Sequence, residues 1–197
     1  MPTDAANFAS YRFSTRDVPE RIRIPLWREH FGRCVVHADI EPLSDRPFRA
    51  DASLHAFQGL RTLAVKGTSM RFKRAQADLA DGDDSVGVIF CSPGTSRLSQ
   101  RGREVELSAS DAIAILHSEP VSVTYVDGLQ FGLAVPREAL EPRVANVESL
   151  VMRPIGHRTE AFRLFAAYLK SVLKARALTA PELRHAVVTH ILSLIHI

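Results

Sequence analysis

The hydrophobic pattern of this chain changes period once, and that change limits its folding options more than any other feature. From residue 34 to residue 135 apolar side chains recur at every second position in short runs. After Pro136 they recur every three to four. Alternation with period two belongs to strands, and recurrence at i, i+3 and i+4 belongs to helices. The strand-like runs are residues 34–40, 54–57, 60–66, 70–73, 86–91, 112–116, 121–126 and 129–135, spaced by turn residues such as Gly67-Thr68-Ser69 and Asp81-Gly82. Many short strands at such spacing read as a sandwich or barrel. Asp127-Gly128 between two apolar runs reads as a hairpin turn.

Helices flank this block. Asp17-Val18-Pro19-Glu20 opens a short amphipathic helix with Ile22, Leu26 and Trp27 on its apolar face, ended by Gly32, and Pro25 marks either a kink or a later helix start. Residues 159–175 place Phe162, Phe165, Leu169, Val172 and Leu173 on one stripe, with Leu164 and Tyr168 beside it. Thr179-Ala180-Pro181-Glu182 is a capping box that starts a further helix. The predicted class is α+β: a β-barrel or jelly roll over 18–135, a helical segment over 136–191, and a flexible arm over 1–17.

Composition adds exclusions. There is no run of 18 apolar residues and no basic, apolar leader at the N-terminus, so no membrane partner is expected and a cytoplasmic location is. Two cysteines in 197 residues read as reduced thiols rather than a disulfide framework. The net charge of +3 is spread along the chain, and the densest basic stretch, Arg61 to Arg74, reads as a solvated sheet face followed by acidic Asp78, Asp81, Asp83 and Asp84.

No catalytic chemistry stands out. The eight histidines include no His-x-His pair, and His185 and His190 are five apart rather than four, so no metal, no cofactor and no enzymatic role are expected. Cys91 at the end of an apolar strand reads as a small hydrophobe. Strand parity and position nominate His37, Phe90, His117 and Tyr125 as candidates to line a small-molecule cavity. Leu164, Tyr168 and Val172 are the candidates for contact with a second copy.

The most informative segment is residues 94–112, GTSRLSQRGREVELSASDA. It reads as strand, tight turn at Arg101-Gly102, strand, second turn at 108–111, and strand. It resembles the cupin-like ligand-binding domain of AraC/XylS-type transcription regulators, in which a glycine is followed by Q-x-G-R and L-x-P-G-D-A. Gly94, Gln100, Gly102, Arg103, Leu107, Asp111 and Ala112 match; Ala109-Ser110 stand where the family has Pro-Gly. Phe13-Ser14-Thr15, Trp27-Arg28-Glu29, Ile40-Glu41-Pro42 and Pro47-Phe48-Arg49-Ala50 extend the resemblance over roughly residues 8–191.

The resemblance implies a barrel that binds a small organic effector, a C-terminal antiparallel helical pair that forms a homodimer, and a helix-turn-helix domain that contacts promoter DNA. The alternatives are a small cupin-type metal-dependent enzyme and a stand-alone small-molecule-binding module. The last six residues, Leu192-Ser193-Leu194-Ile195-His196-Ile197, are compatible with the codons CTG TCT CTT ATA CAC ATC, a transposon-end adapter sequence. The expectation is therefore a non-native tail at 192–197, with the DNA-binding part encoded beyond residue 191.

Overall fold

A computed structural model of the chain describes residues 10–57, 59–91, 94–156, 159–174 and 180–195. In chain order the elements begin with β1 (Ser10–Ser14), α1 (Glu20–Trp27), a π-helical continuation (Arg28–Val36), β2 (Asp39–Pro42), β3 (Ala50–Phe57), β4 (Leu60–Gly67) and β5 (Met70–Arg74). After a 3-10 turn (Gln76–Asp81) come β6 (Val86–Phe90), β7 (Ser96–Gln100), β8 (Arg103–Leu107), β9 (Ala112–Leu116), β10 (Val121–Tyr125) and β11 (Gly128–Val135). The chain continues through α2 (Arg137–Leu140), a 3-10 turn (Val147–Leu150), β12 (Pro154–Ile155), α3 (Glu160–Lys174) and α4 (Pro181–Ile195).

The strands form two antiparallel sheets. One runs β1-β3-β4-β11-β6-β9-β12 and the other β2-β5-β10-β7-β8. This is the expected α+β jelly roll with helices after it. Residues 94–112 fold as read, with β7 paired to β8 from Ser96↔Leu107 to Gln100↔Arg103. Arg101 and Gly102 take φ of 56° and 71°, the left-handed pair that a two-residue hairpin turn needs. In the second turn Ser110 takes φ 74° at the position where the resembled family has glycine.

Three local readings are corrected. Asp127-Gly128 is no hairpin turn, because β10 pairs with β5 and β7 while β11 pairs with β4 and β6. The dipeptide carries the chain from one sheet to the other. Asp127 accepts bonds from Ser69 N at 2.7 Å and Ser69 Oγ at 2.9 Å, and Gly128 has φ 139°.

Residues 34–36, read as the start of a strand, instead end the π-helical segment, and Gly32 does not stop the helix. Its hydrogen is needed for packing: a Cβ there would lie 2.9 Å from Ala38 O. Residues 10–14, read as part of a patternless arm, form β1 on the edge of the larger sheet, paired from Ser10↔His55 to Ser14↔Asp51. Their polar residues face out, while Tyr11 and Phe13 pack against the cluster around Trp27.

The core lies in two connected layers. Between the sheets, Trp27, Phe31, Ile40, Phe48, Met70 and Tyr125 fill one region. Outside the larger sheet, Phe90 and Phe131 stack at 4.7 Å, and Phe90 meets Phe162 and Phe165 of α3 at 5.9 and 5.7 Å. The stripe read from the sequence therefore seats α3 on the barrel, with Leu169 and Val172 buried. Thr179 of the capping box lies outside the described residues.

Candidate functional site

Strand parity decides what looks into the space between the sheets. The pairings Ala134↔Arg61, Gly132↔Leu63 and Gln130↔Val65 place these six residues on one face of β4 and β11. Gly132↔Ile89, Ala134↔Gly87 and Gly87↔Ile115 extend that face across β6 and β9. All line a cavity of about 170 Å³, closed on the opposite side by Phe72, Val121 and Val123 and at one end by Val35, Val36, His37 and Ala38. Leu54, Leu63, Val65, Ile89 and Ile115 make most of its wall apolar.

One end of this cavity is polar. Asp83 accepts from Arg61 Nη2 at 2.5 Å and pairs with His117 Nδ1 at 3.0 Å. Asp81 accepts from Arg74 Nη2 at 2.5 Å and pairs with His37 Nδ1 at 3.1 Å. Arg74, only 6% exposed, also donates to the carbonyls of His37 and His117, each at 3.0 Å. Two arginines thus balance two carboxylates, and two histidines are held by their Nδ1 atoms. Burial alone would raise the Asp83 carboxyl pKa. The hydrogen bond from His117, the charge of Arg61 and the bond from Ser85 outweigh it and hold the group well below the usual carboxylate range. Asp81 is lowered in the same way, chiefly by Arg74 against its own burial.

Local backbone explains how these side chains arrive. His37 ends the π-helical segment in a left-handed conformation, φ 45° and ψ 53°. Non-glycine residues adopt that conformation rarely, and π-helical turns cluster at functional sites. Gly87 clears the space for the His117 ring, since a Cβ there would lie 2.6 Å from Nε2. The His37 side chain is 38% exposed, so the polar end reaches solvent.

At the other end stands Gln130, four positions along β11 from Ala134 and so about 13 Å away. Its Nε2 is buried with no hydrogen-bond partner. A buried amide left unpaired costs free energy and calls for an explanation.

Of the sequence candidates, the structure brings His37 and His117 to the cavity. Phe90 and Tyr125 are not among its lining residues. Phe90 is one position out of phase with Gly87 and Ile89 and faces the helices instead. Tyr125 shares its face with Val121 and Val123 but lies beyond the cavity, stacked on Phe72 at 5.8 Å. Burial raises its hydroxyl pKa strongly.

Among the residues nominated for contact with a second copy, Leu164 is 59% exposed. Tyr168 turns to α4, with its hydroxyl 3.1 Å from His190 Nδ1, and Val172 is buried. Arg61, Arg74, Asp81, Asp83, Gly87 and Gln130 were missed. The basic run read as a solvated face is split: Arg61 and Arg74 turn inward to the acidic turn, whereas Lys66 and Lys73 stay exposed. Among the described residues no three His, Cys, Asp or Glu side chains converge as a metal set would, and no helix is long and apolar enough to cross a membrane. Cys34 is exposed, Cys91 is buried, and neither is in a disulfide.

Two sheets folded over a capped, largely apolar cavity define a cupin-like jelly roll. The chain belongs to the AraC-binding-like domain family, which it matches over residues 27–196. Its fold is that of the AraC-like transcriptional activator CuxR, with a TM-score of 0.80 at 19% identity, covering 94% of this chain and 69% of that one. KdgF from Halomonas sp. aligns at TM-score 0.35 and 16% identity over 50% of this chain and 86% of its own. An RmlC-like cupin from Shewanella frigidimarina NCIMB 400 aligns at 0.35 and 16% over 51% and 86%. Comparison with curated protein sequences gives no match.

Proposed function

We propose that this chain is the effector-sensing domain of an AraC-type transcription regulator and that the cavity between its sheets is the effector site. The observation that carries the reading is Gln130, a residue of the wall of an apolar cavity whose side-chain Nε2 is buried with no partner in a chain of the AraC-binding-like family. Such a site has an unmet hydrogen bond that a bound molecule completes. In this reading the protein acts as a homodimer through the exposed side of the helical pair, where Leu164 and Leu183 stand 59% and 49% exposed. Helix-turn-helix elements of the regulator, in this reading, contact the promoter.

The coupling route is short. Gln130 looks into the cavity, while the next residue, Phe131, looks out and lies 5.8 Å from the Lys170 ammonium of α3 and 4.7 Å from Phe90. At the polar end, His37 is the last residue of the π-helical segment. An effector touching both ends prefers one arrangement of β11 and that segment, and so biases α3. Differential affinity of about 1–3 kcal/mol changes promoter occupancy from several-fold to about a hundredfold.

Gly132 provides the test. It faces the cavity, and a Cβ there would meet only Val88 O at 3.6 Å, an ordinary van der Waals contact, so Gly132→Leu directs its side chain into the cavity space. The experiment compares promoter occupancy across the genome for the protein of the intact gene and for this variant. Specific occupancy that changes in Gly132→Leu is expected. No sequence-specific DNA binding by the wild-type protein, or identical regulation by both, overturns the proposal.

A further inference from the structure

From the arrangement of polar groups around the cavity, we infer that its ligand is a small uncharged molecule, a single ring or short apolar body. It carries a hydroxyl at the histidine end and a hydrogen-bond acceptor at the Gln130 end. This deepens the effector reading and rests on it.

Size comes first. A dry cavity of about 150 Å³ holds one benzene ring, and this one measures about 170 Å³. A ring with small substituents fills it; a disaccharide or nucleotide does not fit. Polarity comes next. Among the described residues, the two arginines at the open end are each answered by a carboxylate: Arg61 by Asp83, Arg74 by Asp81. A carboxylate or ammonium entering there finds no uncompensated partner and loses its hydration, which is costly.

The histidines then set the direction of the bond. Each imidazole is fixed through Nδ1 on a carboxylate, His117 on Asp83 and His37 on Asp81. Each carboxylate accepts a hydrogen bond from Nδ1–H, and in that tautomer Nε2 is the acceptor of the ring. His117 Nε2 sits over Gly87, on the cavity face. An acceptor in that place selects a hydroxyl donor. At the far end Gln130 Nε2 is a buried donor with no partner, and it selects a carbonyl or similar acceptor. Between them the wall is Leu54, Leu63, Val65, Ile89 and Ile115.

The test uses defined probes on the purified chain, read by thermal shift and titration calorimetry. 4-Hydroxybenzaldehyde carries both groups on one ring. 4-Methylbenzaldehyde lacks the hydroxyl, 4-ethylphenol lacks the acceptor, 4-hydroxybenzoate is anionic and p-xylene has neither polar end. The hydroxybenzaldehyde is expected to bind about tenfold more tightly than either singly stripped probe, since each bond contributes about a factor of ten.

Gln130→Leu is expected to equalise 4-hydroxybenzaldehyde and 4-ethylphenol while raising the Tm of the unliganded protein, because it removes an unsatisfied buried group. Gly87→Ala, which displaces His117, is expected to equalise 4-hydroxybenzaldehyde and 4-methylbenzaldehyde. Tightest binding by the benzoate or by p-xylene, or unchanged ranking in Gln130→Leu, overturns the ligand class and leaves the effector reading standing. Failure of all five probes to bind overturns both the class and the use of this cavity as a sensor.

Discussion

Asp83 shows how much one side chain decides here. It accepts from Arg61, pairs with His117 and caps the backbone N–H of Ser85 at 3.1 Å. Its pKa lies below the unfolded-chain value of about 3.9, so the stabilisation it supplies is complete above that pH. It is lost as the pH falls through the lower folded value. Asp83→Asn should therefore be less stable than wild type near neutral pH, with the gap closing below about pH 4; urea denaturation at a series of pH values measures it. A gap that widens in acid contradicts this account.

The missed site residues were visible in part. Arg61 alternates with Leu63 and Val65, and Gln130 with Gly132 and Ala134, so parity alone puts each on one face with apolar or small neighbours. Which face looks inward, however, depends on the opposing sheet. Phe90 shows the same limit from the other side: both of its strand's faces are buried, one by the second sheet and one by α3, and apolar alternation cannot tell them apart.

At the scale of elements, the contact between β6, β11 and α3 joins the cavity wall to the helical pair. Phe90 meets Phe131, Phe162 and Phe165 there and is 2% exposed. Phe90→Ala is expected to cost about 3–5 kcal/mol, seen as a lowered midpoint in chemical denaturation with the barrel's β signal retained below it. A cost under about 1 kcal/mol would remove this stack from the link between sheet and helix. The hairpin motif works at this scale too. Gln100, 2% exposed, donates to Leu116 O at 2.8 Å and accepts from Leu116 N at 2.9 Å, so its amide imitates a missing strand partner for β9. That supplies a physical reason for glutamine at this place in the motif, and Ser110 at φ 74° shows the second turn forming without the family's glycine.

For the whole molecule, the exposed Leu164 and Leu183 are where the proposed dimer is most open to test. Converting both to glutamate is expected to yield a folded monomer in sedimentation velocity, with an unchanged far-UV circular dichroism spectrum, since neither side chain is in the core. A double variant with the sedimentation behaviour of the wild type would move the interface elsewhere. The Tyr168–His190 contact at 3.1 Å joins α3 to α4 within one chain, so substituting Tyr168 reports on helix pairing rather than on dimerisation alone.

The change of hydrophobic period determined, without any coordinates, that strands precede the C-terminal helices, and residues 94–112 determined the β7–β8 hairpin and its turn, because those bonds are local. Only the tertiary structure decided that Asp127-Gly128 crosses between sheets, that residues 28–36 continue as a π-helix, and that Arg61, Arg74, Asp81 and Asp83 meet. Those outcomes turn on segments distant in the chain competing for the same backbone and charge partners, and a linear pattern carries no information about which distant partner prevails.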